Sequence, residues 1–354
     1  MSNIIFVTIS MRGGGTERVI SVLANRMVSM GHKVTIVMIA DPTIEYDLDK
    51  RICTVCVSKA TGGSLIGRIK RIRSMRKVFL RDKNAKIISM GTVANLFTLV
   101  ASAGLKNSIT ISERNDPNRL NHRPIKKYEV WIRNCLYRRA DKIVLQTSEV
   151  KSCFPTYISN KCVVIPNPIS SSLPDANIDG YREKSVISAG RLTEQKNHKL
   201  LIDAFCRFYK KHPDYYLNIY GKGELEEELK EYVKSNKMEG IINICGFCDD
   251  LYKKLQSAGM YVSSSDWEGI SNSMIEALAM GIPTIATDCP VGGSRMFINS
   301  GDNGVLINVG DEMALANEMI RIAEDEGFAR LLGKKAVRIR GELAVEKIIG
   351  KWLE

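Results

Sequence analysis

The sequence predicts an α/β protein with two Rossmann-like, doubly wound domains that face each other across a cleft. A chain of 354 residues is too long for one ordinary core. Short β-branched runs alternate with helical patterns in both halves, as in parallel βαβ units. Turn-forming residues from Asn167 to Pro174 interrupt this alternation. We therefore expect domains at residues 1–168 and 169–335, and a terminal helix at 336–354 that crosses back to the first domain.

The individual elements follow from the same patterns. The first helix is predicted over Thr16–Met30, with Thr16 as its N-cap and Gly31 just past its end. Strands of the first half are predicted at residues 3–9, 33–39, 86–90, 108–112, 142–146 and 162–165. The second half repeats the alternation, with strands at 185–189, 216–220, 241–245, 260–264, 284–287 and 305–307.

The composition is that of a soluble globular protein, with 44% hydrophobic and 25% charged residues. The apolar run Ile4–Ile9 is too short for a signal-peptide core, and Ala94–Leu105 is shorter than the roughly twenty residues of a membrane span. The CxxC pairs that begin at Cys53 and Cys245 lie too far apart for a zinc ribbon. We expect a cytoplasmic protein with reduced thiols and no metal; a metal or redox role for the cysteines is the alternative.

Charge is distributed unevenly along the chain. Residues 1–168 carry 28 lysines and arginines against 11 acids, whereas residues 169–354 carry 23 against 28. The first half is therefore expected to face something anionic.

Two strand-to-helix turns have the composition of phosphate sites. Gly13-Gly14-Gly15 precedes the first helix, where backbone N–H groups could approach a phosphate or a sugar hydroxyl, although a plain tight turn is the alternative. In the second half, Gly190 is followed by Arg191 and Lys196. Two cations at one strand end suit a pyrophosphate, and the alternative is a solvated surface pair.

A third segment adds two carboxylates to a helix start. Glu268 and Glu276 are eight positions apart, and the amides of Ile270–Ser273 lie between them at the expected N-terminus. Ser273 and Glu276 also match a capping box, which is the purely structural alternative. Phosphate-binding amides together with carboxylates that accept hydroxyl hydrogen bonds describe a site for a sugar nucleotide.

These motifs, in this order, resemble those of the retaining glycosyltransferases of family 4, which have the GT-B fold. The resemblance rests on Glu268-x7-Glu276, on Gly190-Arg191 to Lys196, on Gly14-Gly15 with Glu17, and on the Pro166-Asn167 turn, and it covers essentially the whole chain.

The resemblance implies a role for each motif. Arg191 and Lys196 would bind the donor diphosphate, Glu276 the ribose, and Glu268 the transferred sugar. The other implied donor contacts are Gly14, Gly15, Gly190, Gly221, Gly246, Phe247, Ile270, Ser271, Asn272 and Ser273. The family transfers sugar with retention and generally without a metal or other cofactor, so Glu268, Arg191 and Lys196 are the candidate catalytic residues.

One position departs from the family pattern. Arg114 stands where many members have a histidine beside the donor sugar. Glu17, Glu113, Arg114 and Asn115 are weak candidates for sugar or acceptor contacts. An ordinary turn with an internal Glu113–Arg114 pair is the alternative.

The basic half contains two cation-rich stretches. Residues 66–86 predict a helix with an apolar stripe and a cationic outer face, and residues 119–142 place Tyr128, Trp131 and Tyr137 among cations. An anionic membrane surface or a polyprenyl-diphosphate acceptor fits both stretches. A solvated basic face is the alternative, and nucleic acid is disfavoured because no recognition motif accompanies the charge.

The sequence thus predicts a peripheral glycosyltransferase at the inner membrane surface. It would use a nucleotide sugar, for example UDP-N-acetylhexosamine or UDP-hexose, to extend a lipid-linked glycan in surface polysaccharide assembly, such as capsule or O-antigen. The competing functions are a sugar-nucleotide isomerase of the same fold, which would alter the donor without an acceptor, and a non-catalytic basic adaptor at the membrane. The sequence does not specify the sugar, the linkage or the oligomeric state.

Overall fold

The computed structural model describes residues 1–57, 64–120, 123–248 and 250–354. The chain forms two compact units, one made of Met1–Pro168 with Val345–Glu354, and the other of Ile169–Ala344. Each unit is built on a parallel sheet, so the predicted α/β class with two doubly wound sheets is confirmed.

The first unit contains a seven-stranded parallel sheet in the order β3-β2-β1-β4-β5-β8-β9. Its strands are nearly continuous apolar runs, as expected for a sheet covered on both faces. The strands are β1 (Asn3–Thr8), β2 (Lys33–Met38), β3 (Cys53–Cys56), β4 (Lys86–Met90), β5 (Ile109–Ser112), β8 (Lys142–Leu145) and β9 (Cys162–Val164), with a separate antiparallel pair β6 (Arg119–Leu120) and β7 (Arg123–Pro124).

Helices connect these strands. They are α1 (Gly15–Ser29), α2 (Leu65–Arg81), α3 (Thr92–Ala101), α4 (Lys127–Tyr137) and the short α5 (Thr156–Ser159). The crossovers β3 to β4, β4 to β5 and β5 to β8 all step in the same direction across the sheet. Because such crossovers are right-handed, α2, α3 and α4 form one layer on the same face, and α1 lies on the other.

The second unit contains a six-stranded parallel sheet in the order β12-β11-β10-β13-β14-β15. Its strands are β10 (Ser185–Ala189), β11 (Tyr216–Tyr220), β12 (Ile242–Gly246), β13 (Met260–Ser263), β14 (Thr284–Thr287) and β15 (Val305–Ile307). Its helices are α6 (His198–Tyr209), α7 (Glu226–Ser235), α8 (Leu251–Gln256), α9 (Asn272–Ala279), α10 (Glu312–Glu324), α11 (Glu326–Ala336) and α12 (Ile339–Glu342).

The strand order reverses at one point in each sheet. In the second unit the chain winds outward from β10 through β11 and β12, and then returns to place β13 on the other side of β10. Ligands of doubly wound sheets bind outside the carboxyl ends of the strands at such a switch point. A ligand site is therefore expected at the loops that follow β10 and β13.

The chain end does not form one helix over 336–353. α12 ends the second unit, and a separate helix, α13 (Val345–Leu353), belongs to the first. Its buried face consists of Val345, Ile348, Ile349 and Trp352, and it packs against α1.

One other local expectation was wrong, and one strand was not predicted. The N-cap of α1 is Gly14, and Thr16 lies inside the helix. The segment Cys53–Cys56 is a strand, β3, that the sequence analysis did not predict. Within the described residues, no helix combines the length and the apolar character needed to span a membrane.

Candidate functional site

Two loops meet at the switch point of the second sheet and are joined by side-chain hydrogen bonds. The Gln195 Nε2 atom donates to the Trp267 carbonyl at 2.9 Å. Asn197 Nδ2 donates to Asp266 Oδ1 at 2.8 Å, and Ser264 Oγ donates to the Lys196 carbonyl at 2.9 Å. Segments about 70 positions apart in sequence thus form one edge, which is the physical reason that the Gly190 and Glu268 motifs belong to a single site.

Lys196 and Glu268 form an ion pair at the centre of this edge. Their side chains are only 12% and 16% exposed, and Ser265 Oγ lies 3.4 Å from Glu268 Oε2. Burial opposes the charge of Lys196, but the Glu268 carboxylate, with a smaller contribution from Tyr261, outweighs burial and raises the pKa of the ammonium group. Lys196 therefore remains cationic at physiological pH.

Close packing of backbone and side chains explains the glycines of the turn. A Cβ on Gly190 would lie 2.8 Å from Lys196 Cε, because the lysine stem crosses this position. Gly221 has a φ of +145° and touches the Gly190 carbonyl so closely that a Cβ there would overlap it. Gly190 N in turn donates to the Tyr220 carbonyl at 2.9 Å. Because positions 190 and 221 carry no side chain, the ends of β10 and β11 and the Lys196 stem can pack closely together.

Arg191 lies beside this pair at the surface. It is exposed, and its Nη2 atom is 3.4 Å from Gln195 Oε1. The turn thus places one nearly buried and one exposed cation at the same strand end.

The loop after β13 leads into α9, whose N-cap is Ser271. Ser273 is inside the helix, and its hydroxyl bonds the Ala189 carbonyl at 2.8 Å and Tyr261 Oη at 2.7 Å. A capping box with Ser273 as N-cap is therefore ruled out. The first amides of α9 lie at the same strand edge as Lys196, where a helix N-terminus favours an anion.

Glu276 lies on α9 and is only 3% exposed. The Tyr252 hydroxyl donates to its Oε1 atom at 3.3 Å. A buried carboxylate one turn into this helix can accept hydrogen bonds from hydroxyl groups. Tyr252 was missed by the sequence analysis, since nothing in the pattern of α8 separates it from a surface tyrosine.

The loop after β12 continues the edge. Gly221 N donates to the Gly246 carbonyl at 2.7 Å. Phe247 is 45% exposed, and Lys222 Nζ lies 5.8 Å from its ring centre. An exposed ring here offers a stacking surface for a planar ligand group.

Two further residues close to the Lys196–Glu268 pair were also missed. Burial, with a smaller contribution from Lys196, lowers the pKa of His198 to about 3, so this imidazole is neutral. Gly293 packs against the Gly269 carbonyl so closely that a Cβ would overlap it. The consecutive glycines after β14, Gly292-Gly293, were the signal that could have identified this support of the Glu268 loop.

In the first unit, the glycine turn lies at the corresponding switch point, after β1. Glu17 folds back over Gly14, and its carboxylate occupies the space of a Cβ there. Tyr46 Oη donates to the Gly14 carbonyl at 2.7 Å, and Gly13 N donates to Glu45 Oε2 at 2.6 Å. The turn is thus held from two sides by contacts within the protein.

Arg114 points toward the end of this unit's sheet. Its Nη2 atom donates to Asn167 Oδ1, which also accepts from Gln146 Nε2 at 3.0 Å. Its Nε and Nη1 atoms are buried and have no hydrogen-bond partner among the described residues. Burial lowers the pKa of Arg114 to about 10, and Glu17 partly opposes this shift.

The neighbours of Arg114 have local partners. Glu113 is 2% exposed and accepts hydrogen bonds from Thr92 Oγ1 at 2.8 Å and from the Tyr137 hydroxyl. The internal Glu113–Arg114 pair considered from the sequence is thus not formed. Asn115 Oδ1 accepts from the Asp116 amide at 2.8 Å. Both carboxylate oxygens of Glu113 are thus engaged inside the unit.

Two glycosyltransferase family models match the chain, one in each half. Residues 13–173 match the model of Glycosyltransferase Family 4, and residues 177–338 match that of Glycosyl transferases group 1. Together the two matches cover nearly the whole chain. The chain is a glycosyltransferase, with a first half that matches the family 4 model and a second half that matches the group 1 model.

This glycosyltransferase has relatives in several prokaryotes. It is 28% identical over 260 residues to an uncharacterized glycosyltransferase of Methanocaldococcus jannaschii, a match that spans 61% of this chain and 63% of that protein. It is 24% identical, over 100% of this chain and 98% of the relative, to the Campylobacter jejuni GalNAc-alpha-(1->4)-GalNAc-alpha-(1->3)-diNAcBac-PP-undecaprenol alpha-1,4-N-acetyl-D-galactosaminyltransferase.

Among solved structures, Anabaena HepE in complex with UDP and glucose is similar to the glycosyltransferase. The TM-score is 0.85 at 17% identity, and the match covers 100% of this chain and 98% of HepE. At this identity the likeness establishes the fold, which is that of the GT-B glycosyltransferases.

Proposed function

We propose that this glycosyltransferase transfers a hexose or N-acetylhexosamine from a UDP donor, with retention, to a glycan carried on polyprenyl diphosphate. The reaction would serve surface polysaccharide assembly at the inner face of a membrane. The observation that carries the proposal is the Lys196–Glu268 pair, placed with Arg191 at the switch point of the second sheet.

The roles follow from the chemistry of this edge. Negative charge develops on the departing diphosphate as the C1–O bond of the donor breaks, and Arg191 and Lys196 are the cations that would stabilise it. The α9 amides would hold the same phosphates, Glu276 the ribose hydroxyls, and Glu268 the sugar. With two protein cations in place, no metal or other cofactor is required.

Retention fits an attack from the face that the diphosphate leaves. In this scheme the acceptor oxygen bonds to C1 on that face, and its proton passes to the departing phosphate oxygen. The roles of Gly14, Gly15, Glu17 and Arg114 in binding sugar or acceptor stay predictions. For Glu113 we favour a positioning role, because both its oxygens are engaged inside the unit.

Relatives support the acceptor and the donor class. The name of the Campylobacter relative specifies an undecaprenyl-diphosphate-linked glycan, and HepE was crystallised with UDP and glucose. The excess of cations in residues 1–168 is consistent with a phosphate-bearing acceptor at an anionic membrane surface.

Calorimetric titration with a panel of nucleotide sugars tests the donor site. We expect one UDP-sugar to bind, and we expect Lys196→Ala to weaken its binding at least tenfold. Lys199→Ala should leave the affinity unchanged, since this half-exposed lysine pairs with Glu228 on the neighbouring helix. Equal affinities of wild type and Lys196→Ala would refute the site.

The reaction itself needs a second measurement. UDP release that requires both donor and acceptor, persists in EDTA and gives an α-linked product from an α-linked donor by NMR supports the proposal. Conversion of the donor without acceptor would indicate the isomerase instead.

A further inference from the structure

α4 carries three large apolar side chains that are exposed, while its arginine Arg133 is buried. Tyr128, Trp131 and Ile132 are 58%, 69% and 41% exposed. The buried residues of the helix are Arg133 and Tyr137. Positions i, i+3 and i+4 share one helix face, so the three apolar residues form one outward stripe. In an ordinary surface helix the apolar stripe faces the core, so an outward stripe of this kind needs an explanation.

Polar contacts on the inner side fix this orientation. The Tyr137 hydroxyl donates to the buried Glu113 and accepts from Asn95 Nδ2 at 3.2 Å. The Arg133 guanidinium donates to the Pro117 carbonyl at 2.5 Å and lies 4.7 Å from the Phe154 ring centre. Rotating α4 to bury Trp131 would break these buried contacts. The stripe is therefore held outward by the fold.

Cations lie at both ends of the stripe. Lys126 and Lys127 begin the helix, Arg138 and Arg139 follow it, and all four are exposed. The single acid between positions 123 and 140 is Glu129, which is paired with Arg123. The surface thus combines an aromatic stripe with unneutralised positive charge, the composition of a membrane-interface surface.

α2 adds to the same layer. The predicted apolar stripe of this helix is buried only toward its end, at Met75 and Phe79, while Leu65 and Ile66 in its first turn are 73% and 67% exposed. α3 carries no charged residue and packs against both α2 and α4. The exposed apolar groups of α2 and α4 therefore flank an uncharged helix on one face of the unit.

We propose that this face binds an anionic bilayer, with Tyr128, Trp131 and Ile132 inserted into the headgroup layer. Charge favours an anionic bilayer over a second copy of the chain, because contact between two copies through this face would bring their cations together. This proposal rests on the proposed function, because it names the surface for the membrane attachment proposed there. Lipid binding is nevertheless measurable without donor or acceptor.

Tryptophan emission gives a direct assay on the full chain. Of its three tryptophans, Trp267 and Trp352 are 6% and 3% exposed, so an emission shift on adding vesicles reports Trp131. We expect a blue shift with vesicles of phosphatidylcholine and 30% phosphatidylglycerol, and a much weaker one with phosphatidylcholine alone.

Co-sedimentation with the same vesicles measures the partition coefficient of variants. Tyr128→Ala/Trp131→Ala should bind at least tenfold more weakly, and Lys126→Gln/Lys127→Gln about fivefold more weakly per charge at low salt. Tyr181→Ala, which removes an 81% exposed tyrosine of the other unit, is the matched control and should bind like wild type.

The outcomes separate the two proposals. Unchanged vesicle binding of the Tyr128→Ala/Trp131→Ala variant, with an unchanged circular dichroism spectrum, overturns the inference. So does a wild-type dimer in analytical ultracentrifugation that this variant abolishes, because the stripe would then contact a second copy. Lys196→Ala should lose donor binding and keep vesicle binding. If wild type binds vesicles but no nucleotide sugar, the proposed function fails and the lipid surface stands.

Discussion

Removing either partner of the Lys196–Glu268 pair should destabilise the second unit, and removing both should cost less than the sum. The two side chains are 12% and 16% exposed, so each single change leaves a nearly buried charge without its partner. Glu268→Gln and Lys196→Met keep the side-chain volume approximately constant and therefore suit a double-mutant cycle.

The expected coupling can be estimated from the geometry. Unit charges at a charge-assisted contact distance of about 2.8 Å interact by about 6 kcal/mol at an effective dielectric constant of about 20. Desolvation of the two groups offsets most of this, which leaves a coupling of about 2 kcal/mol. Either single change should then destabilise the unit by about 1–3 kcal/mol.

Urea unfolding of wild type, both single variants and the double variant gives the cycle. The transition of the second unit should be followed separately where the two units unfold apart, because a single two-state fit would mix them. Additive free energies of unfolding within about 0.5 kcal/mol would show that the pair has no energetic role without ligand.

Three further changes test other parts of the structure. Gly190→Ala places a carbon 2.8 Å from Lys196 Cε, so the lysine stem must shift. Calorimetry should then show donor affinity reduced about tenfold, with Tm changed by a few degrees at most. An unchanged affinity would contradict the close packing. Glu276→Gln keeps an acceptor for the Tyr252 hydroxyl but removes the charge, so UDP affinity should fall at least tenfold; equal affinity would exclude Glu276 from the site. Burial raises the pKa of Glu113 despite its hydroxyl donors, so the folded chain keeps this proton to a higher pH than the unfolded chain. The stability of wild type relative to Glu113→Gln should therefore decline as pH rises above about 4.5. A constant difference between the urea midpoints of the two proteins from pH 4.5 to 8 would refute this.

The fold was largely predictable because its signals are local. Buried parallel strands appear as short β-branched runs, and their alternation with helical patterns indicates the doubly wound class without any contact being known. β3 was missed because its residues, Cys53–Cys56, are only partly buried at the sheet edge. The break before α13 was missed because amphipathic periodicity does not show where the chain passes from one unit to the other.

The sequence by itself determined the two-sheet architecture, the resemblance to glycosyltransferases, and the motifs from Gly190 to Glu276, since each depends on residue types at short, fixed spacings. Only the tertiary structure decided that Lys196 pairs with Glu268 and that Ser273 is not an N-cap. It alone separated Tyr137, which is buried, from Trp131, which is exposed. The reason is that partners and burial depend on which strand ends and helix faces meet, and residues about 70 positions apart carry no local sign of each other.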